Sequence, residues 1–107
     1  MPDCQLCPKY EKAFELLGKR WIGLIVKVLL DGPKRFSDIS NRIPQLSDRV
    51  LAERFKELEA GGIIERRVYP ETPVRIEYQL TEKGKALKNV LIEVQKWADT
   101  WVVTENK

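Results

Sequence analysis

The stretch LSDRVLAERFKELEAGGIIERRVYPETPVRIEYQL, residues 46–80, decides the fold. Ser47 is the second residue of this stretch. Its hydroxyl can accept a hydrogen bond from an unpaired backbone N–H, which predicts the start of a helix. Leu46 and Leu51 are spaced to pack against each other across that start. Gly61 and the glycine after it predict the end of the helix. The apolar residues of the segment fall on one side at helical spacing: Leu51, Phe55 and Leu58.

Two strands are predicted directly after this helix, over residues 64–69 and 74–80. The second alternates apolar and polar residues with a period of two, which is typical of a half-buried strand. Pro70 and Pro73 stand between the strands and cannot donate to a continuous ladder. The pair of strands is therefore predicted to be a hairpin with a stiff, projecting tip.

Three helices are predicted before this stretch and one after it. The first runs from Lys9 to Gly18, and the second covers residues 20–30, is apolar on nearly every side and is expected at the domain centre. The third is short, over residues 36–43, because the proline that follows disfavours a helical residue before it. Thr81 is predicted to cap the last helix. This order is that of a winged helix-turn-helix, mainly α with a small β-hairpin wing.

One domain is predicted for the whole chain, residues 1–107, a common length for a single core. It is divided into an N-terminal arm and helix over residues 1–18, a winged-helix core over residues 19–81 and a C-terminal dimerisation helix over residues 82–103. The apolar stripe of this last helix is wide and aromatic, which predicts an interface rather than a solvated face.

Composition argues against several classes of function. The chain has no His, which excludes Ser-His-Asp and Cys-His nucleophiles and His-containing zinc sites. It has neither type of Gly-rich phosphate loop, so no nucleotide cofactor is expected. Its longest apolar run, residues 21–30, is about half of the ~20 residues that a membrane span needs. With no export leader recognisable, we expect a cytoplasmic protein that is not an enzyme, has no cofactor and has no membrane partner.

The helix that starts at Ser47 is the candidate for DNA contact, because arginine at a helix start can read guanine in the major groove. Six basic residues are matched by six acidic ones from position 47 to 75, so an ordinary solvated face is the alternative. The net charge of +3 is compatible with an anionic partner. The candidate DNA-binding residues are Lys34, Arg35, Ser47, Asp48, Arg49, Glu53, Lys56 and Arg75.

The two cysteines of the chain form the motif CQLC, at Cys4 and Cys7. The pair could act in a small thiol oxidoreductase or a metal-binding module, although zinc would need two more ligands and a thioredoxin-like site a βαβ context. The start of the first helix, with Lys9 and Lys12 nearby, favours the reactive thiolate at Cys7. Burial of Cys7 as a small apolar residue stays open, because cysteine is among the most buried residue types.

Four runs together carry a resemblance to a known family: CPKYEKAFELLGKRW, LLDGPKRFSDISNRIP, LSDRVLAERFKELEAGGIIERRVYPETPVRIEYQLTEKGKAL and WADTW. They resemble the HxlR family of bacterial transcription regulators, relatives of the MarR group, over almost the whole chain. The resemblance implies a homodimeric protein that binds double-stranded operator DNA, with the recognition helix at Ser47 and the wing tip at residues 70–73. It implies no particular inducer.

The same resemblance implies roles for the two ends of the chain. The first and last helices would form the dimer, and the residues expected at the interface are Tyr10, Phe14, Leu91, Val94, Trp97 and Trp101. Cys7 occupies the position of the family's N-terminal cysteine, which senses electrophiles or oxidants in some members. Cys4 lies outside the family pattern and could act as a resolving thiol.

Overall fold

The computed structural model describes residues 7–104. Within them the chain forms a helical fold with one two-stranded antiparallel hairpin, as the sequence predicts. Its elements, in chain order, are α1 (Pro8–Leu17), α2 (Ile22–Leu29), α3 (Phe36–Arg42), α4 (Asp48–Ala60), β1 (Ile64–Tyr69), β2 (Arg75–Leu80), α5 (Glu82–Lys85) and α6 (Lys88–Trp101).

The core forms around α2, which confirms the central position predicted for this helix. Ile22 and Ile25 are fully inaccessible to solvent, and the apolar sides of α3 and α4 pack on the same cluster. Leu24 on the outer side of α2 remains half exposed, so the helix is not buried all round. Trp21 has a φ of 81°, a left-handed conformation that delays the start of the helix to Ile22.

Aromatic rings join α3, α4 and the hairpin inside this core. The ring centroid of Phe55 lies 5.6 Å from that of Phe36 and 4.3 Å from that of Tyr78. Such contacts add to the free energy of burial. The recognition helix predicted at Ser47 and the hairpin therefore share a rigid support.

The hairpin pairs in the predicted order, with Ile64 opposite Leu80 at its base and Tyr69 opposite Arg75 near its tip. Lys34 adds a short bridge on the other edge of β2: its backbone N–H donates to Tyr78 O at 2.9 Å and its O accepts from Tyr78 N at 2.7 Å. The segment before α3 is thus fastened to the wing.

The helix predicted after Thr81 is divided into α5 and α6. Thr81 does cap α5, its Oγ1 accepting from Gly84 N at 3.1 Å and donating to Gly62 O at 2.6 Å. Gly84 is buried against Ile63, and a Cβ there would clash with the Ile63 carbonyl. This close approach ties α5 to the base of the hairpin, and the chain bends at Ala86 before α6 begins.

In the described part of the chain, no helix combines the length and the apolar character that crossing a membrane requires.

Candidate nucleic-acid interface

The start of α4 is fixed by two side chains that the sequence singles out. Ser47 Oγ accepts from Val50 N at 3.2 Å, which confirms the predicted cap. Asp48 Oδ1 accepts from Ser40 Oγ at 2.8 Å, so α3 and α4 are linked across the turn between them. Both residues thereby set the direction of α4.

Three polar side chains lie on the solvent side of α4, opposite its buried stripe. The side chain of Arg49 is 82% exposed and its Nη1 lies 3.5 Å from Glu53 Oε2, one helical turn later. Lys56 is exposed farther along the same helix. Exposed ion pairs of this kind contribute little to stability, so Arg49 can exchange Glu53 for another acceptor at small cost.

The C-terminal half of α4 is anchored to the loop between α1 and α2. Glu57 accepts from Lys19 Nζ at 2.9 Å and from Arg54 Nη1 at 3.2 Å. Arg54 Nε also donates to Arg20 O at 3.0 Å. The hydrogen bond from Lys19 is the main cause that holds the pKa of Glu57 below its usual value.

The two basic candidates before α3 lie beside the wing. Lys34 is half-buried, and its Nζ donates to Gly32 O at 3.4 Å. Arg35 precedes the first residue of α3, and its backbone N–H donates to Asp38 Oδ2 at 3.0 Å. The positive charge of Arg35 also contributes to lowering the pKa of Glu71 in the wing tip.

Arg75 is held by two carboxylates and one ring. Its Nη2 lies 2.8 Å from Glu71 Oε2, its Nη1 lies 2.7 Å from Glu77 Oε2, and its guanidinium carbon lies 4.0 Å from the centroid of Tyr69. Hydrogen bonding to Arg75 lowers the pKa of Glu71 and raises that of Arg75 itself. We call Arg75, Glu71, Glu77 and Tyr69 the wing-tip cluster.

Sequence reasoning identified only Arg75 from this cluster. No helical spacing rule could indicate Glu71, because it lies in the connector between two strands. Tyr69 is opposite Arg75 in the register, which depends on the geometry of the turn as well as on the apolar pattern. The wing-tip cluster is thus a feature that the structure adds to the candidate site.

The aromatic and apolar side chains expected at a dimer interface are largely exposed in the single chain. Trp97 and Trp101 on α6 are 62% and 69% exposed, and Tyr10 and Phe14 on α1 are 66% and 53% exposed, with their rings 5.1 Å apart. Val94 is also exposed, whereas Leu91 packs partly on the core.

Cys7 is the residue directly before α1 and is half-buried. Its carbonyl oxygen accepts from Glu11 N at 2.9 Å, so its backbone belongs to the first turn. Lys12 lies 3.6 Å from Glu15 in an exposed pair. Cys4 lies outside the described residues. Within residues 7–104 no group of three or more Cys, Asp or Glu side chains is arranged to hold a metal ion.

The chain is similar in sequence to known HTH-type transcriptional regulators. The chain is 62% identical over 94 residues to the HTH-type transcriptional regulator YodB of Bacillus subtilis strain 168, covering 88% of this chain and 84% of YodB. It is 56% identical over 102 residues to YvaP, an uncharacterized HTH-type transcriptional regulator of the same strain, covering 95% of this chain and 94% of YvaP. Neither name supports the oxidoreductase or metal-module alternative.

Solved structures agree with these relatives. The reduced form of YodB from B. subtilis superposes with a TM-score of 0.83 at 60% identity, covering 91% of this chain and 95% of that one. Quinone-bound YodB superposes with a TM-score of 0.79 at 55% identity, covering 90% of this chain and 100% of that one. Diamide-treated YodB superposes with a TM-score of 0.78 at 58% identity, covering 94% of this chain and 99% of that one.

The model of the HxlR-like helix-turn-helix family matches residues 16–106, which include the capped α4, the hairpin and α6. The chain therefore belongs to the HxlR-like helix-turn-helix family and is a winged-helix transcriptional regulator.

Proposed function

We propose that this regulator binds double-stranded operator DNA as a homodimer, with α4 of each subunit in the major groove and the hairpin beside it. The observation that carries the proposal is the presentation of Arg49. Its side chain is exposed at the start of a helix whose direction is fixed by Ser47 and by the bond between Ser40 and Asp48. A fixed helix start with one extended arginine is the geometry that reading a guanine edge needs.

The other candidate residues take supporting roles in this proposal. Glu53 pairs with Arg49 before DNA binds, since the two lie 3.5 Å apart, and can release it at small cost. Lys56, farther along α4, and the pair Lys34 and Arg35 before α3 contact phosphates on either side of the groove. Phosphate contacts position the protein without reading sequence. The regulator acts in the cytoplasm by binding, without enzymatic turnover or a cofactor.

The dimer forms through the two ends of the chain, residues 1–18 and 82–103, and leaves residues 19–81 for DNA. What supports it is the exposed apolar surface formed by α1 and α6, which would be unfavourable in water. Two subunits related by a two-fold axis would place their α4 helices about one helical turn of DNA apart.

Control by thiol chemistry at Cys7 is the second part of the proposal. YodB, to which this chain is similar, has been solved in a reduced form, after diamide treatment and bound to a quinone. Cys7 directly precedes α1, an element of the proposed dimer interface. Diamide takes two electrons and two protons from two thiols, which become a disulfide. Cys4 of the same chain, or the partner's cysteine, supplies the second thiol.

Operator binding before and after diamide treatment tests this control. The wild type, Cys4→Ser and Cys7→Ser are compared on a duplex selected from a random library by the reduced wild type. Oxidised wild type should lose affinity about 5 to 150-fold, the range typical of coupled sites. Cys7→Ser should bind equally in both conditions. A wild type indifferent to diamide, or a Cys7→Ser variant that still responds, would exclude Cys7 as the sensor.

A further inference from the structure

The wing-tip cluster engages Arg75 on three sides. Two carboxylates accept from its guanidinium, with Glu71 bound through Nη2 at 2.8 Å and Nε at 3.4 Å and with Glu77 bound through Nη1 at 2.7 Å. Tyr69 covers one face of the same plane at 4.0 Å. Only 28% of the Arg75 side chain is exposed, against 82% for Arg49. The basic residue of the wing is therefore far less available to a new anion than the arginine of α4.

We infer that Arg75 is a positioning residue, which fastens the tip of the wing to its two strands and so holds the hairpin in its DNA-binding shape, rather than a phosphate contact. The inference rests on the proposed DNA binding. Glu71 belongs to the connector between the strands, Glu77 to β2 and Tyr69 to the end of β1, so one guanidinium links all three parts of the hairpin.

Charge and shape both favour this assignment over a phosphate contact. Arg75 with Glu71 and Glu77 carries a net charge of one negative unit, which repels a phosphate. Release of Arg75 would leave two carboxylates facing the DNA. The planar guanidinium also meets requirements that a point charge does not, because it binds a carboxylate with two N–H groups while stacking on a ring.

Glu71 connects the cluster to the rest of the DNA-binding surface. Arg35, at the start of α3, is the second cation that stabilises the Glu71 carboxylate. The backbone of the adjacent Lys34 is paired with Tyr78 of β2. The hairpin is thereby fastened to the segment before α3 at Tyr78, and the charge of Arg35 favours the ionised Glu71 in the tip.

Variants of the wing-tip cluster can distinguish a positioning role of Arg75 from contact with a DNA phosphate. Arg75→Gln and Glu71→Gln are measured in two assays: hydrogen exchange of the wing amides in the protein without DNA, and the salt dependence of affinity for a library-selected duplex of about 30 base pairs. Both variants should exchange faster at residues 70–75 and bind about three to ten times more weakly, as expected for a partly exposed ion-pair network stacked on a ring. Arg75→Lys should behave like Arg75→Gln, because lysine keeps the positive charge but lacks the planar guanidinium that binds two carboxylates and stacks on Tyr69.

Matched controls remove the same charges elsewhere. Arg42→Gln and Asp31→Asn change an exposed ion pair between the end of α3 and the turn after α2, outside the wing, α4 and the proposed dimer surface, and should leave wing exchange and affinity unchanged. Tighter DNA binding by Glu71→Gln, or a salt slope that falls by about one unit in Arg75→Gln with Arg75→Lys normal, would make Arg75 a phosphate contact and overturn the inference. Unchanged amide exchange at the tip would overturn it too. Failure to select any duplex would instead contradict the proposed DNA binding. The hydrogen-exchange assay would still show whether Arg75 holds the tip of the wing in place.

Discussion

At the scale of single residues, the start of α4 depends on a few polar side chains with separate tasks. Ser47 satisfies a backbone donor, Asp48 joins α4 to α3, and Arg49 is left extended into solvent. The first two bind groups of the fold itself, whereas Arg49 pairs with the exposed Glu53 one turn later. Stability and DNA affinity should therefore respond to different substitutions within three consecutive positions.

Ser47→Ala should lower the free energy of unfolding by about 1 kcal/mol, because the Val50 N–H loses its acceptor. Urea denaturation of the purified protein measures this loss. Ser37→Ala, at an exposed position of α3, is the control and should change stability by less than about 0.5 kcal/mol. Equal effects of the two substitutions would mean that the cap contributes nothing specific.

The pairing of Glu57 predicts a pH-dependent contribution to stability. Its pKa in the folded chain lies below its usual value of 4.5, chiefly because of the hydrogen bond from Lys19. A carboxylate shifted in this direction stabilises the fold above the unfolded pKa and loses that contribution as pH falls through the folded pKa. Glu57→Gln should therefore lower stability by up to about 1 kcal/mol near pH 7 and by progressively less as the pH falls below the usual pKa of 4.5. A difference that does not shrink on acidification would assign the loss to packing instead.

Sequence patterns predicted residues whose role depends on near neighbours and missed those that depend on register. Ser47 and the stripe of α4 follow from spacing along one helix, and the structure confirms them. Glu77 lies two residues from Arg75 on the same side of β2, so its spacing was readable, whereas Tyr69 meets Arg75 by pairing across the hairpin and the bond between Ser40 and Asp48 depends on the angle of a turn. Local periodicity contains neither kind of information.

At the scale of elements, the joint between the hairpin and the C-terminal helices is the part that the sequence predicted least well. One helix was expected after Thr81, yet α5 is only four residues long and α6 starts at Lys88. Helical spacing continues across the break, so the pattern could not reveal it. The close approach of Gly84 to the Ile63 carbonyl fastens α5 to the base of the hairpin, a tertiary contact that no local pattern contains.

Gly84→Ala and Gly23→Ala form a matched pair that tests this joint. A Cβ at Gly84 would clash with the Ile63 backbone, whereas at Gly23 in α2 nothing lies within 4 Å of it. Gly84→Ala should destabilise the fold by about 1–3 kcal/mol through overpacking, and Gly23→Ala should stabilise it by about 0.5–1 kcal/mol through helix propensity. Thermal unfolding of both variants measures the contrast. Equal shifts in the same direction would show that α5 is not tightly packed on the hairpin.

At the scale of the whole molecule, two surfaces with different characters are separated along the chain. The surface proposed for DNA is polar and is supplied by α4, the segment before α3 and the wing. The surface proposed for dimerisation is apolar and aromatic and is supplied by α1 and α6. The spacing of the apolar residues along the sequence predicts both surfaces.

Trp101→Glu should convert the proposed dimer into a monomer, because it places a charge on the apolar surface that dimerisation would cover. Trp101 is 69% exposed in the single chain, so the fold itself should survive the change. Sedimentation velocity at micromolar concentration measures the state, and circular dichroism confirms folding. Val68→Glu, at an exposed position of the wing, should remain dimeric. A wild type that sediments as a monomer would contradict the proposed assembly.

The affinity of Arg49→Ala for two duplexes tests most directly whether α4 reads DNA sequence. One duplex is selected from a random library by the wild type, and the other has the same composition in scrambled order. Loss of a base-reading arginine should cost about 1–3 kcal/mol on the selected duplex, and much less on the scrambled one, where only phosphates are contacted. Lys34→Ala, which removes a proposed phosphate contact, should weaken both duplexes alike. Equal losses on the two duplexes for Arg49→Ala would contradict the account, since α4 would then contribute charge but no reading of the operator.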